Sequence, residues 1–433
     1  MTIWFCCRAE EVSMKAVLEL CSQAKTAFRS LPFFSAKQRT MLLISLADIL
    51  VERCDLIEKE NRKDVDEAQA TGLSGAMLER LLLDHERIVS MANGVRSVAI
   101  LPDPLDQIFD ERILPNGLHV QKQRVPLGVL AVIYESRPNV TIDVAALALK
   151  SGNAVILRGG KESLHTNAAL ASCVHEALAT CSMPVGAVQF LDDPDRKRVD
   201  ELLSMDHYVD MLIPRGGAEL HTYCRKNSRI PVITGGIGIC HLFVDESANL
   251  EKALEVIVNA KVQRPTVCNA LDTVLLHERI ASSFLPVLLK RMQQEKVVVH
   301  IPEPQIKKFS LHCSEFVRSM KEGDWDREWL SLNLNITIVS DLAEAVDFIR
   351  EHSTAHSDGI LTEDEQNANQ FLKAVDSAVV YVNASTRFTD GAELGLGAEV
   401  AISTQRLHAR GPMGLQELTT YKWVVRGNYL IRE

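Results

Sequence analysis

The segment KVQRPTVCNALDT, Lys261 to Thr273, sets Cys268 between a proline turn and an asparagine. A cysteine there can be a nucleophile, because a thiolate attacks acyl carbons readily and backbone amides at a loop junction lower a thiol's pKa. It can equally be a small apolar side chain in a core, since free cysteine is among the most buried residue types. No histidine is evident nearby to activate it. Two glycine clusters offer a second kind of chemistry. ILRGGKES places Arg158, Gly159, Gly160 and Lys161 at the end of an apolar run, and LIPRGGAEL places Pro214, Arg215, Gly216 and Gly217 at the end of another. Glycines let backbone N–H groups approach a phosphate, and a helix N-terminus adds partial positive charge. Neither cluster is a GxGxxG fingerprint, and either alone is more readily a tight strand-to-helix turn. Together, each with an arginine, they point to a nucleotide. Arg158 and Lys161 favour the 2′-phosphate of NADP over NAD.

The elements that must hold these residues follow from hydrophobic periodicity. AKQRTMLLISLADILVERCDLIEKENRKDVDEAQ repeats apolar residues every three or four positions and reads as one or two amphipathic helices. RILPNGLHVQKQRVPLGVLAVIYE changes period, with a turn at Pro115-Asn116-Gly117, then an alternating strand suited to an exposed hairpin, then a fully apolar one suited to a buried parallel sheet. From there strands and helices alternate: VLAVIY, VTIDVAALALKSG, NAVILRGG, TNAALASCVHEALATC, AVQFL, RVDELLSM, VDMLIPRGG. This βαβ repetition predicts a parallel, doubly wound sheet, with RIPVIT and CHLFVD as further strands. A second series after Cys268 runs DTVLLH, SSFLPVLLKRMQQ, NITIVS, LAEAVDFIREH, DGILTED, QNANQFLKAV and AVVYVN, and predicts a second α/β domain. TYKWVVRG is a last strand with no helix after it.

Composition agrees with two domains, because 433 residues exceed the size at which one hydrophobic core stops growing. Hydrophobic residues at 46% and charged residues at 24% are ordinary for a soluble globular protein. A formal charge of −10 argues against a nucleic-acid surface while leaving room for a local basic pocket. The ten cysteines show no CxxC pair and no metal-ligand spacing, so reduced thiols and no metal are expected. The vicinal pair Cys6-Cys7 is assigned no function. No apolar run is long enough for a membrane span, and the N-terminus fits neither a secretory signal nor a transit peptide. A cytoplasmic location is expected.

YESRPNVTIDVAALALKSGNAVILRGGKE, PRGG, QRPTVCNALDT, SDGILTED and VNASTRFTDGAELGLGAEVAISTQRLHARGPMGL, in this order, resemble the γ-glutamyl phosphate reductases of the aldehyde dehydrogenase superfamily. The likeness runs from about residue 20 to 427. It implies an aldehyde dehydrogenase-like α/β fold with a Rossmann-type NADP-binding domain over 1–255, interrupted by an oligomerisation hairpin at about 112–127. A second α/β catalytic domain over 256–410 and a C-terminal oligomerisation segment over 411–433 complete the expectation. The implied reaction is NADPH-dependent reduction of γ-glutamyl phosphate to glutamate 5-semialdehyde through a cysteine thioester, a step of proline biosynthesis. By resemblance Cys268 is the nucleophile and Asn139 the side-chain amide that helps stabilise the oxyanion. Arg158, Gly159, Gly160 and Lys161 meet the adenosine end of the cofactor, Pro214 to Gly217 its pyrophosphate side, and Glu328 the nicotinamide ribose.

The substrate's anionic groups call for arginine clamps, and Arg137, Arg264 and Arg387 are the candidates, with Asp143 or Asp390 for its ammonium. For each arginine a structural salt bridge is an equal alternative. His356 and Ser357 are read as structural, and His408 and Arg410 as supports of the C-terminal turn or subunit interface. Hydrolytic members of the superfamily carry a glutamate just before the glycines that align with Gly235-Gly236, to activate water. The segment PVITGGIGICH has no carboxylate, as suits an enzyme that must protect its thioester. Another acyl reductase or aldehyde oxidase of the same fold, and a non-catalytic homologue, are the competing readings. The expected partners are the small-molecule substrate, further copies of the chain, and the glutamate kinase that makes the labile substrate. The chain leaves no room for a fused kinase and is expected to be a stand-alone enzyme.

Overall fold

The structure, a computed structural model, describes residues 16–73, 75–235 and 237–432; Cys6, Cys7 and Gly236 lie outside them. The chain forms two compact units. One comprises the chain up to Thr234 together with Gly395–Ala401 and everything from Met413, and the other comprises Gly235–Leu394 and Ile402–Pro412.

In the first unit the periodic N-terminal stretch forms two helices, Ala36–Glu52 and Cys54–Ala70, that meet at Arg53. Ser35 and Gln38 close a reciprocal capping box at the first, which satisfies N–H groups that a helix start otherwise leaves unpaired. The hairpin forms as expected from its turn residues: β1 (Ile108–Ile113) pairs antiparallel with β2 (His119–Pro126), with Gly117 at φ +86° in the turn. The C-terminal strand Thr419–Arg426 lies along β2 in antiparallel register, Thr419 opposite Pro126 and Arg426 opposite His119. β2 thus offers the last strand an edge within its own chain. The buried run Val129–Tyr134 is β3, followed by β4 (Ala154–Arg158), β5 (Val188–Phe190) and β6 (Met211–Arg215). They form a parallel sheet in the order β5-β4-β3-β6. The chain steps outward from β3 to β5, then crosses back to place β6 on the far side of β3, which is the double winding predicted. RIPVIT contributes only an isolated bridge, Val232 to Leu212.

The second unit holds a seven-stranded parallel sheet. Its strands are β7 (Cys240–Val244), β8 (Leu271–His277), β9 (Val298–Ile301), β10 (Val317–Ser319), β11 (Asn333–Val339), β12 (Ser357–Leu361) and β13 (Val379–Val382), in the order β10-β9-β11-β8-β7-β12-β13. β7 precedes the boundary expected at 255, yet it is hydrogen-bonded between β8 and β12. β9 and β10 were not expected; both are short. The sheet packs on a continuous apolar core that includes Leu242, Val274, Phe284, Leu288 and Ile336. At the C-terminal end of the chain, Gly411–Pro412 pairs with Ile402–Ser403 in this unit, while Met413 onward belongs to the first. Among the described residues no helix is long and apolar enough to cross a membrane, and the cysteines are free thiols.

Candidate active site

Cys268 sits in a turn closed by the Ala270 N–H donating to the Val267 carbonyl at 3.0 Å, just before β8 begins at Leu271. It is half-buried, so it is not the core cysteine of the alternative reading. All strands of this sheet run parallel, so the residues that precede each strand gather at one edge. There lie Gly238 before β7, Cys268 before β8, Glu328 before β11 and His356 before β12. Cys268 thus stands at the amino-terminal edge of its sheet, whereas ligands of open α/β sheets usually collect at the carboxyl ends.

The turn is held through its main chain. The Cys240 Sγ–H donates to the Cys268 carbonyl at 3.3 Å. Asn269 Nδ2 donates to the Thr389 carbonyl at 2.9 Å and the Arg387 carbonyl at 3.3 Å, and Thr386 Oγ1 donates to the Asn269 carbonyl at 2.7 Å. Gly238 packs flat on the cysteine backbone: a Cβ built there would lie 1.6 Å from the Cys268 carbonyl oxygen. Its N–H donates to Glu328 Oε1 at 2.9 Å. Gly238→Ala must therefore push Cys268 out of place. A misplacement of about 1 Å can cost about 10²-fold in rate, so kcat is expected to fall by about that factor while circular dichroism stays that of the parent. Unchanged turnover would show that this packing does not position Cys268.

Charge near the thiol is positive. Arg387 is half-buried and donates to Gln263 Oε1 at 3.0 Å. Burial lowers its pKa, the neighbouring Arg264 cation lowers it further, and negative charge on Cys268 raises it. The structure thus brings Cys268, Arg264 and Arg387 into one electrostatic neighbourhood, and Arg264, exposed, makes no ion pair with a described residue. Glu328 is half-buried, and burial raises its carboxyl above the ordinary range. His356 is buried and pushed down to about 4 by burial, so it is neutral near pH 7. Its Nδ1 bonds Ser357 Oγ at 2.8 Å, Ser357 bonds Thr389 at 2.6 Å and Tyr381 bonds Thr389 at 2.7 Å. These buried side chains form one hydrogen-bonded chain, while His356 Nε2 has no partner among the described residues. Asp390 caps a turn through the Ala392 N–H at 2.9 Å, and Arg410 pairs with Asp376 at 2.6 Å.

The other expected residues belong to the first unit. Asn139 opens the helix Asn139–Lys150, and its Nδ2 donates to Asp143 Oδ2 at 3.0 Å. A carboxamide has a second N–H, which this contact leaves available. Burial pushes the Asp143 carboxyl up to about 6. Arg137 lies in the loop before that helix. The two glycine clusters end β4 and β6. β3 and β6 flank the point where the strand order reverses, which is where doubly wound sheets bind nucleotides. Arg158 donates from Nη2 to the Pro194 carbonyl at 2.9 Å, while its Nε is buried without a partner among the described residues. An unmatched buried guanidinium N–H suits an anionic ligand group. A Cβ on Gly159 would lie 2.1 Å from Asn167 Nδ2, so glycine there permits the tight loop. Lys161 is exposed and extends from the same loop. The Gly217 N–H donates to Glu135 Oε2 at 3.1 Å, a carboxylate that sequence reasoning did not single out. These residues fit a nicotinamide dinucleotide. Ile233, two residues before Gly235, is 2% exposed with its N–H on the Leu212 carbonyl at 2.9 Å. Its side chain is core.

Sequence reasoning also missed Gly238, Cys240 and the side chain of Asn269. Only the run GGIGIC, rich in glycine without turn-forming partners, could have signalled a close approach of two backbones.

The sequence pattern of the Aldehyde dehydrogenase family matches residues 5–305. A γ-glutamyl phosphate reductase of Escherichia coli (strain SMS-3-5 / SECEC) is 54% identical over 409 residues, spanning 94% of this chain and 98% of that protein. The crystal structure of a γ-glutamyl phosphate reductase from Thermotoga maritima has a TM-score of 0.93 at 43% identity, covering 96% of this chain and 100% of that one. A γ-glutamyl phosphate reductase structure from Saccharomyces cerevisiae has a TM-score of 0.53 at 31% identity, covering 96% and 98%.

Proposed function

We propose, since the chain belongs to the aldehyde dehydrogenase family and within it to the γ-glutamyl phosphate reductases, that it reduces L-glutamyl 5-phosphate to L-glutamate 5-semialdehyde with release of phosphate. The observation that carries the assignment of roles is the half-buried Cys268 thiol in a turn locked by Gly238 and Asn269, with Arg264 and Arg387 beside it. Cys268 thiolate attacks the acyl carbon, the carbon–oxygen bond to phosphate breaks, and a thioester forms. Phosphate is a good leaving group, so the site needs no strong general acid. The Cys268 N–H and the Asn139 amide are the proposed oxyanion donors, each worth about 2.7–4 kcal/mol in a transition state. Arg264, Arg387 and Arg137 hold the phosphate and α-carboxylate by bidentate contacts. A bound NADPH supplies the hydride that reduces the thioester, after which the Cys268 thiolate is released unchanged. Glu328 and the two glycine loops hold that cofactor. Running the reaction backwards with the semialdehyde, NADP and phosphate, and following NADPH, tests the whole assignment.

The preference for NADPH rests on Arg158 and Lys161. Arg158→Glu and Lys161→Glu are expected to weaken NADPH more than NADH. Losing a charge-assisted hydrogen bond costs about 1.5–3 kcal/mol, roughly 10- to 100-fold in KM. Equal weakening of both cofactors would mean that neither residue reads the 2′-phosphate.

The three-stranded sheet also supports self-association. Its outer strands leave open edges, and Ile113, Tyr421, Trp423 and Val425 are exposed upon it. At least a dimer is expected in solution; light scattering that gives a monomer at micromolar concentration would refute it. The lability of an acyl phosphate is the physical reason to expect association with the glutamate kinase that forms it, and a cytoplasmic setting.

A further inference from the structure

The helices Cys54–Ala70 and His85–Ile100 begin close together, well apart in sequence from every residue assigned to the reaction. Cys54 stands in the first turn of its helix and Glu58 one turn further along the same face. His85 opens the second helix, capped by Asp84. Cys54 Sγ lies 3.1 Å from His85 Nδ1 and 3.9 Å from Glu58 Oε1, and the three ligand atoms all fall within 4.8 Å of one another. From this geometry we propose that Cys54, Glu58 and His85 bind one zinc-type transition-metal ion.

The donor set decides the metal class. Thiolate with imidazole and one carboxylate suits zinc and its neighbours, whereas magnesium and calcium take oxygen ligands. Zinc bonds of about 2.3 Å to sulfur and about 2.0–2.1 Å to nitrogen set those two atoms roughly 3.5 Å apart at a tetrahedral angle. The Cys54–His85 separation needs only slight relaxation to reach that. Exposure is graded, from buried Cys54 through half-buried Glu58 to exposed His85. Three protein ligands with an outer position open to water follow from that gradient.

The local field has the right sign. Three carboxylates, Glu58, Asp55 and Asp84, neighbour the Cys54 sulfur. Their negative charge favours a dication, and a bound dication deprotonates a coordinating thiol outright. The second oxygen of Glu58 faces Arg62 at 3.7 Å, an exposed pair worth little and easily exchanged for an ion. A bound ion would clip the two helices together and stabilise the folded chain in proportion to its occupancy. Sequence spacing conceals the site, because the histidine comes from a different helix, outside any short motif.

Titration of the reduced, chelator-treated full chain with Co²⁺ tests the proposal. One Co²⁺ per chain is expected, with a sulfur-to-cobalt charge-transfer band in the near ultraviolet and visible bands of tetrahedral intensity, all abolished by Zn²⁺. Cys54→Ser should lose the charge-transfer band, and His85→Gln should bind at least about tenfold more weakly. His85 is exposed, so the second variant keeps the fold whatever the first does. Zn²⁺ should raise the Tm of the parent and leave both variants unmoved, while turnover of both matches the parent. A parent without the band, or both variants binding like the parent through other thiols such as Cys313, overturns the proposal.

Discussion

Cys268→Ser is expected to fold as the parent does and to lose turnover by about 10³-fold or more, the scale on which removal of a nucleophile acts. The fold should survive because the contacts that lock this turn run to the Cys268 carbonyl, to Asn269 and to Gly238, none of which the substitution touches. Activity should not survive because a serine hydroxyl is scarcely ionised near neutral pH, while a thiol is partly thiolate. The neighbouring thiol cannot replace it: Cys240 is fully buried, and burial holds it well above the ordinary thiol range. Following NADPH consumption with saturating substrate, beside a circular dichroism spectrum of each protein, gives the answer. Substantial turnover by the variant would end the nucleophile assignment. Iodoacetamide provides a second view, since half-buried Cys268 should react and Cys240 should not.

Formation of NADPH in the reverse direction is expected to depend strictly on inorganic phosphate, or on arsenate in its place. The segment from Arg229 to His241 has no carboxylate, so nothing there deprotonates water to attack the thioester. General-base assistance is worth about 10²–10⁴-fold, and without it phosphorolysis should outrun hydrolysis by a similar factor. Arsenate would form an acyl arsenate that falls apart, pulling the reaction forward. Glu328 is tied to the Cys268 loop through Gly238, whose N–H one of its oxygens accepts. Sustained NADPH formation without phosphate would contradict the acyl-phosphate reaction and favour an ordinary aldehyde oxidation. Glu328→Gln would then show whether that carboxylate is the base. A glutamate at Ile233 would not restore one, because the position is inside the first unit's core and would bury an unpaired charge.

Sequence alone determined the kinds of element and singled out the loop that carries Cys268. The helix period of 36–70, the alternating hairpin and the apolar runs that became β3, β4 and β8 are local signals, carried by each segment's own apolar spacing. QRPTVCNALDT and the glycine clusters are likewise short strings whose chemistry does not depend on distant partners. Strand neighbours are another matter. β7 reads as a strand from its composition, yet only hydrogen bonding to β8 and β12 assigns it to the second sheet. TYKWVVRG reads as an open edge, yet it finds β2 nearly three hundred residues earlier in its own chain. Gly238 against Cys268, Glu328 on Gly238, and His85 beside Cys54 are contacts between segments whose separation no periodicity encodes. A side-chain pattern states which face of an element must be buried, whereas the partner that buries it is chosen by competition among all the edges and faces of the folded chain.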